Sequence, residues 1–366
     1  MAEALKDIYN ENFLHGFAKK VHIAYPPFHS STFVKDVMDH TWSHLELKQR
    51  IRQITLTLGR HLPTDYAQAL DVLYQIDEEC QGFPYLFFPD FVEVFGQTED
   101  NWDLSMDALK RFTSKSSSEF AIRPFLIREP ERTIEVMKSW AKNPNEHVRR
   151  LASEGCRPRL PWGQALPMFK KDPTLPLSIL EMLKEDPATY VQKSVANHLN
   201  DIAKDNPSTV IETAYRWKGI SSQTDWIIRH GCRTLIRKAD PDVLALFGYT
   251  KIKQAKDLFS HISFSINPSD LEIGETTEIH YELDVHEGDP VTIRLEYAID
   301  FIKSRGQTSR KIFLLSNREV SGGNKISNRR KHSWKDLSTR KHYKGPHRIV
   351  LLANGVEVAE DVVELK

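Results

Sequence analysis

Three segments in the middle of the chain, Pro130–Trp140, Pro176–Leu183 and Pro207–Trp217, each open on proline and read as helices. Proline suits the first turn of a helix, where its missing N–H has no intrahelical acceptor to lose. Each segment leads through a polar turn into a second helix, and these second helices start near Val148, Val191 and Ile227, 43 and 36 residues apart. Two-helix units of that period bury their apolar faces only against their neighbours, which predicts a HEAT-like α-helical solenoid. Val191, Val195 and Leu199 are the expected buried stripe of the central second helix.

Helical periodicity extends up to about Tyr249, with Ile51, Ile54 and Leu58 on one face and Phe33 and Val37 on another. Beyond about Ser260 the period becomes two: Ile262, Phe264 and Ile266 alternate, then Ile279, Tyr281 and Leu283, then Val291, Ile293 and Leu295. Ile312–Leu315 and His347–Ala353 follow, and Asn354-Gly355 predicts a hairpin into Val356–Leu365. About seven short strands predict an immunoglobulin-like β-sandwich, here without the cysteine pair of antibody domains. The expected organisation is multidomain, α then β: residues 1–255 as the helical repeat domain and 260–366 as the sandwich, joined through Lys251–Phe259.

Composition narrows the function classes. No run approaches the ~20 apolar residues of a membrane span, and the opening MAEALKDIYNENFLHGF has no cleavable hydrophobic core. Cys80, Cys156 and Cys232 are odd in number and far apart, which points to a reducing compartment without a disulfide framework or zinc. There is no HExxH and no HxE…PCxxC pattern among the 15 histidines. No metal and no cofactor is expected.

Charge is balanced overall, with 50 Lys+Arg against 50 Asp+Glu, yet it is unevenly placed. In HVRRLASEGCRPRLPWG (His147–Gly163), Arg149, Arg150, Arg157 and Arg159 crowd around Glu154 and the run closes on Pro161-Trp162. Arg150 and Glu154 are i, i+4 on a helix; Lys193, Asn197 and Asp201 repeat that spacing in the next unit, and Arg229, Arg233 and Arg237 in the third. Stacked second helices would align these stripes into one basic trough. Upstream, SSSEFAIRPFL adds Glu119 and Arg123, again i, i+4, with Ser117 or Ser118 as cap and Glu119 as a first-turn acid. Asp77-Glu78-Glu79 falls outside the trough as a solvated helix end.

From Lys303 to Arg348 fourteen Lys/Arg stand against two acids, Glu319 and Asp336, a net of +12. The stretch SNREVSGGNKISNRRKHSWKDLSTRKHYKG reads as basic loops carrying Trp334 and Tyr343. Arg329, Arg330, Lys331, Lys335, Arg340 and Lys341 are its candidate phosphate contacts. Basic trough and basic sandwich together fit a clamp on a nucleic-acid duplex, and a carboxylate with a large aromatic among cations fits a cationic group carried by that polyanion.

With NWDLSMDALKRFTSKSSSEFAIRPFL and HVRRLASEGCRPRLPW both in place, the chain resembles the AlkC family of bacterial DNA alkylation-repair glycosylases, in the subgroup with a C-terminal immunoglobulin-like domain. The resemblance covers essentially the whole chain. It implies hydrolysis of the N-glycosidic bond to cationic alkylated bases, 3-methyladenine and 3-methylcytosine, in double-stranded DNA and without base flipping. By motif position it implies Glu119 and Glu154 as acidic active-site residues, Trp162 as the active-site aromatic and Asp201 as a further acid. Arg150, Arg157, Arg159 and Lys193 would bind the DNA backbone, joined by Arg123, Arg149, Arg229 and Arg233 along the trough. The expected setting is the bacterial cytoplasm, associated with the nucleoid, with a single chain sufficient. The competing expectations are a non-catalytic HEAT-repeat protein that binds distorted or branched DNA and a protein-binding scaffold.

Overall fold

The computed structural model describes residues 4–338 and 340–366. By internal contacts the chain forms two compact units, one ending at Gly231 and one running from Cys232 to Lys366.

The first unit is helical. Glu11–Ala24, Ser30–Val37, Leu47–His61, Tyr66–Ile76, Phe87–Phe95 and Trp102–Thr113 precede the repeats. Their apolar faces meet around aromatic side chains; Phe17 and Phe87, for example, pack edge-on with centroids 4.9 Å apart. The repeats then pair Pro130–Trp140 with Glu146–Glu154, Thr174–Leu183 with Thr189–Ile202, and Pro207–Trp217 with Ser222–Gly231. Thr189–Ile202 packs on both Glu146–Glu154 and Ser222–Gly231, and Thr174–Leu183 packs on Pro130–Trp140. First helices therefore form one layer and second helices another, with Val191, Val195 and Leu199 buried as the stripe requires.

Two local readings change. Glu119 lies in a turn, and the helix that follows begins only at Arg123. Pro124 is the cause: a helix started at Ser118 would place its ring and missing N–H in the interior, whereas starting at Arg123 puts it in the first turn. Glu119 and Arg123 consequently do not share a helical face. The third polar stripe is also interrupted, because the helix ends at Gly231 and a separate short helix, Arg233–Arg237, follows. A Cβ at Gly231 would stand 2.9 Å from the Leu199 Cβ, so glycine permits the close approach of two second helices at the point where the first unit ends. Arg229 and Arg233 thus belong to different helices and different units.

Among its described residues the second unit holds Arg233–Arg237, Pro241–Leu246 and eight strands. These are β1 (Phe259–Asn267), β2 (Asp270–Leu271), β3 (Thr276–Val285), β4 (Val291–Ile302), β5 (Thr308–Val320), β6 (Lys325–Ser333), β7 (Gly345–Ala353) and β8 (Val356–Leu365). One sheet has the order β1-β3-β6 and the other β2-β8-β7-β4-β5; all neighbours are antiparallel except β2 and β8. Asn354 (φ 46°) and Gly355 (φ 83°) make the left-handed turn between β7 and β8 that the Asn-Gly pair predicts.

β6 lies inside the segment expected to be loop. Its pairing with β3 runs from Thr276↔Ser333 to Asp284↔Lys325, and it buries Ile326 and His332 while Arg329, Arg330 and Lys331 face solvent. The cations hid the strand because only one side of it is apolar and that side is interrupted. Trp334 is a core residue rather than a groove-reading one, edge-on to Phe301 at 5.8 Å and to His347 at 5.0 Å. Part of the local charge is offset by acids outside the segment: Arg310 pairs with Asp300 at 2.8 Å and Glu357 at 2.6 Å, and Arg348 with Glu357 at 2.7 Å.

Candidate active site

Three pieces of the first unit converge: the turn carrying Glu119, the end of Glu146–Glu154 with the loop beyond it, and the middle of Thr189–Ile202. Glu154 closes its helix at 6% exposure. One carboxylate oxygen, Oε1, accepts from Arg157 Nη1 at 2.5 Å and lies 3.5 Å from Arg150 Nη2. The other, Oε2, accepts from Ser194 Oγ at 2.6 Å. Arg150 turns its remaining side to the Glu119 carboxylate, donates to Ser117 Oγ at 3.2 Å and lies 5.2 Å from the Tyr190 ring centroid. A single guanidinium therefore joins two acids 35 positions apart in sequence (154 − 119).

Behind this pair sits Asp201, 2% exposed. It receives Arg157 Nε at 2.8 Å and Nη2 at 2.7 Å on Oδ2, and Lys204 Nζ at 2.9 Å on Oδ1. Burial by itself would lower the Arg157 pKa, but Glu154 and Asp201 outweigh it and hold the guanidinium above its ordinary value. Asp201 does not line the cleft described below; its carboxylate is occupied by Arg157 and Lys204.

Trp162 is exposed by 63% although it is the largest side-chain type, and its backbone is left-handed at φ 62°. Such a conformation in a bulky residue costs roughly 1–2 kcal/mol, and backbone strain of this kind clusters at active sites and ligand clamps. Trp162, Glu119 and Glu154 line one open cleft of about 270 Å³ together with Phe83, Leu86, Phe120, Leu160 and Pro161. The cleft thus combines two carboxylates, the Arg157 guanidinium bound to one of them, an exposed π face and apolar walls, and the π face and the carboxylates suit a planar cation.

The remaining predicted cations differ in how far they are exposed. Arg123 is 0% exposed, and its guanidinium donates to the carbonyls of Gly155 at 2.8 Å, Arg157 at 2.9 Å and Gln164. Burial pushes its pKa down to about 10. A side chain so enclosed holds the loop and cannot meet a phosphate. Arg149 is likewise committed, to Asp186 at 2.6 and 3.1 Å and to the carbonyls of Asn143 and Pro144. Arg159 pairs with Asp205 at 3.0 and 2.6 Å but stays partly exposed. Lys193 and Arg229 are exposed, as are Lys335 and Lys341; Arg233 is half-buried, and Arg340 lies 4.4 Å from the Phe301 ring centroid.

Ser194, Tyr190, Phe83 and Phe120 were not among the expected site residues. Ser194 had a signal: it stands between Val191 and Val195 on the buried side of its helix, where a polar residue needs a partner. Beneath the site His198 Nδ1 meets the Ser153 carbonyl at 2.9 Å, and burial holds its pKa down to about 3. Among the described residues no group of three or more His, Cys, Asp or Glu is arranged to hold a metal, and no helix is long and apolar enough to cross a membrane.

The family described as "DNA alkylation repair enzyme" matches residues 35–235. Residues 260–366 match the one described as "Uncharacterised protein YhaZ, C-terminal Ig-like domain". The chain is 42% identical over 351 residues to the "Uncharacterized protein YhaZ" of Bacillus subtilis (strain 168), with 96% of each covered. Among solved structures it is similar to the Pseudomonas fluorescens alkylpurine DNA glycosylase AlkC bound to DNA containing an abasic site analog, with a TM-score of 0.91, 38% identity and 100% of both chains covered. A repeat unit and a sandwich matched in one order over the full length place the chain in the AlkC family of DNA alkylation-repair glycosylases.

Proposed function

We propose that this chain is a monofunctional DNA glycosylase of base excision repair that releases cationic alkylated bases, 3-methylcytosine and 3-methyladenine, from duplex DNA. The observation that carries the reading is the cleft in which Glu119 and Glu154, tied by Arg150, stand with the exposed indole of Trp162. The similar alkylpurine DNA glycosylase, held on DNA with an abasic site analog, supports DNA as the polymer and alkylated purines among the bases.

Alkylation at a ring nitrogen gives the base a positive charge. When its bond to C1′ breaks, the electron pair returns to the base, which departs neutral, and the positive charge moves to the sugar. Such a leaving group needs no general acid. A carboxylate beside the sugar stabilises the developing oxocarbenium ion and orients the water that attacks C1′. In this scheme Glu119 faces the sugar and water while Glu154 and Arg150 hold it in place. Trp162 offers its π face to the cationic base, worth about 0.5–2 kcal/mol. An open cleft, rather than a deep pocket, suits a base that remains in the stack. Arg159, Lys193 and Arg229 are the phosphate contacts proposed for this unit, and Arg233, Arg329, Arg330, Lys331, Lys335, Arg340 and Lys341 those proposed for the sandwich unit.

The deciding experiment is release of free methylated base from duplex DNA by the wild type and by Glu119→Gln. Release by the first only, with DNA binding retained by both, supports the assignment. Binding without release by the wild type would make the chain a reader of DNA structure instead.

A further inference from the structure

Trp162 has a strained backbone and a side chain mostly in solvent, so neither local preference nor packing of the indole keeps it where it is. Its neighbours are anchored from below, since Arg123 binds the carbonyls of Arg157 and Gln164. The Trp162 carbonyl itself accepts from Lys48 Nζ at 2.8 Å. Lys48 lies in the first turn of Leu47–His61, 114 residues away in sequence. The same ammonium stands 4.9 Å from the ring centroid of Phe120, the residue after Glu119. One lysine thus touches both lips of the cleft, the indole-bearing loop and the Glu119 turn.

We propose that Lys48 is a positioning residue of the active site, tying the Trp162 loop to the Glu119–Phe120 turn so that indole and carboxylate keep a fixed spacing. Immobilising a lysine costs side-chain entropy. Three features offset that cost: the carbonyl bond, the contact with the Phe120 ring, and the Asp90 and Glu93 carboxylates lining the neighbouring cleft with Lys48 and Trp162. Arg52 already binds those acids, at 2.9 and 2.5 Å, so they attract the ammonium without taking it from the Trp162 carbonyl. The role differs from a phosphate contact, in which Lys48 would act on DNA and leave Trp162 unaffected.

The activity arm of the test rests on the glycosylase reading; the spectroscopic arm does not. Lys48→Met and Lys48→Arg are prepared in the full chain, and Trp162 emission is taken as the difference from the matching Trp162→Phe protein. Lys48 is exposed, so both variants should fold. Lys48→Met is expected to change Trp162 emission and its iodide quenching in the absence of DNA. It should lower single-turnover base release roughly tenfold to a hundredfold, with affinity for undamaged duplex and its salt dependence retained. Lys48→Arg, which can still reach the carbonyl, should restore most of both signals. Unchanged emission with a salt slope reduced by about one would identify a phosphate contact and overturn the proposal, as would unchanged emission and release together. If the wild type releases no base, the glycosylase reading fails, while the emission arm still decides whether Lys48 holds Trp162.

Discussion

Ser194 Oγ lies 2.6 Å from Glu154 Oε2 and 3.0 Å from Ser153 Oγ. Its one proton cannot serve both, and the carboxylate is the stronger acceptor, so Ser194 donates to Glu154. The acid of one repeat is thereby oriented by the second helix of the next. Ser194→Ala should lower base release roughly tenfold at a stability cost of about 1 kcal/mol, measured by single-turnover excision and urea midpoints. A wild-type excision rate in this variant would remove Ser194 from the site.

Trp162→Gly separates strain from function. Glycine adopts φ 62° freely, and little packing is lost with an exposed indole. Stability should hold or rise by up to about 1 kcal/mol, while base release falls more than tenfold. A melting temperature several degrees below the wild type would show that the indole is a structural anchor.

Acid should destabilise both units before their carboxylates are protonated. Burial holds His198 in the first unit down to about 3 and His332 in the sandwich down to about 4. The unfolded chain takes up these protons near pH 6.5. Above that pH the two histidines contribute no pH dependence. Between there and the folded value each costs about 1.4 kcal/mol per pH unit. Urea midpoints at pH 7.5 and 5.5 should therefore fall in the wild type and fall less in His332→Gln. Equal midpoints at the two pH values would contradict the buried neutral rings.

Reversing charge at Arg330 and Lys331, both exposed on β6, tests the sandwich as a DNA contact. The double change to Glu should weaken duplex binding and reduce the salt slope by about two, with folding intact because neither side chain is buried. An unchanged slope would leave DNA binding to the helical unit alone.

Periodicity carried the architecture. Proline-led helices at repeat spacing and the switch to alternation near Ser260 are local patterns, and local patterns survive translation into structure because each element must bury its own apolar side. The cleft residues Glu119, Glu154 and Trp162 stood out by their odd company, acids and an indole among arginines. Which arginines remain available was decided only by packing. Arg149 meets Asp186, Arg157 meets Asp201 and Arg159, which alone of the three stays well exposed, meets Asp205 across 37, 44 and 46 positions, about one repeat in each case. Residue type and spacing announce a charge, but its partner sits on the next layer of the solenoid, at a distance the chain acquires only when the repeats stack. Arg123 differs again: its partners are backbone carbonyls, which every residue carries and no sequence pattern marks. For Trp162 the aromatic was legible, whereas its exposure, its left-handed backbone and the bond its carbonyl accepts from Lys48, 114 residues away, appear only in the folded chain.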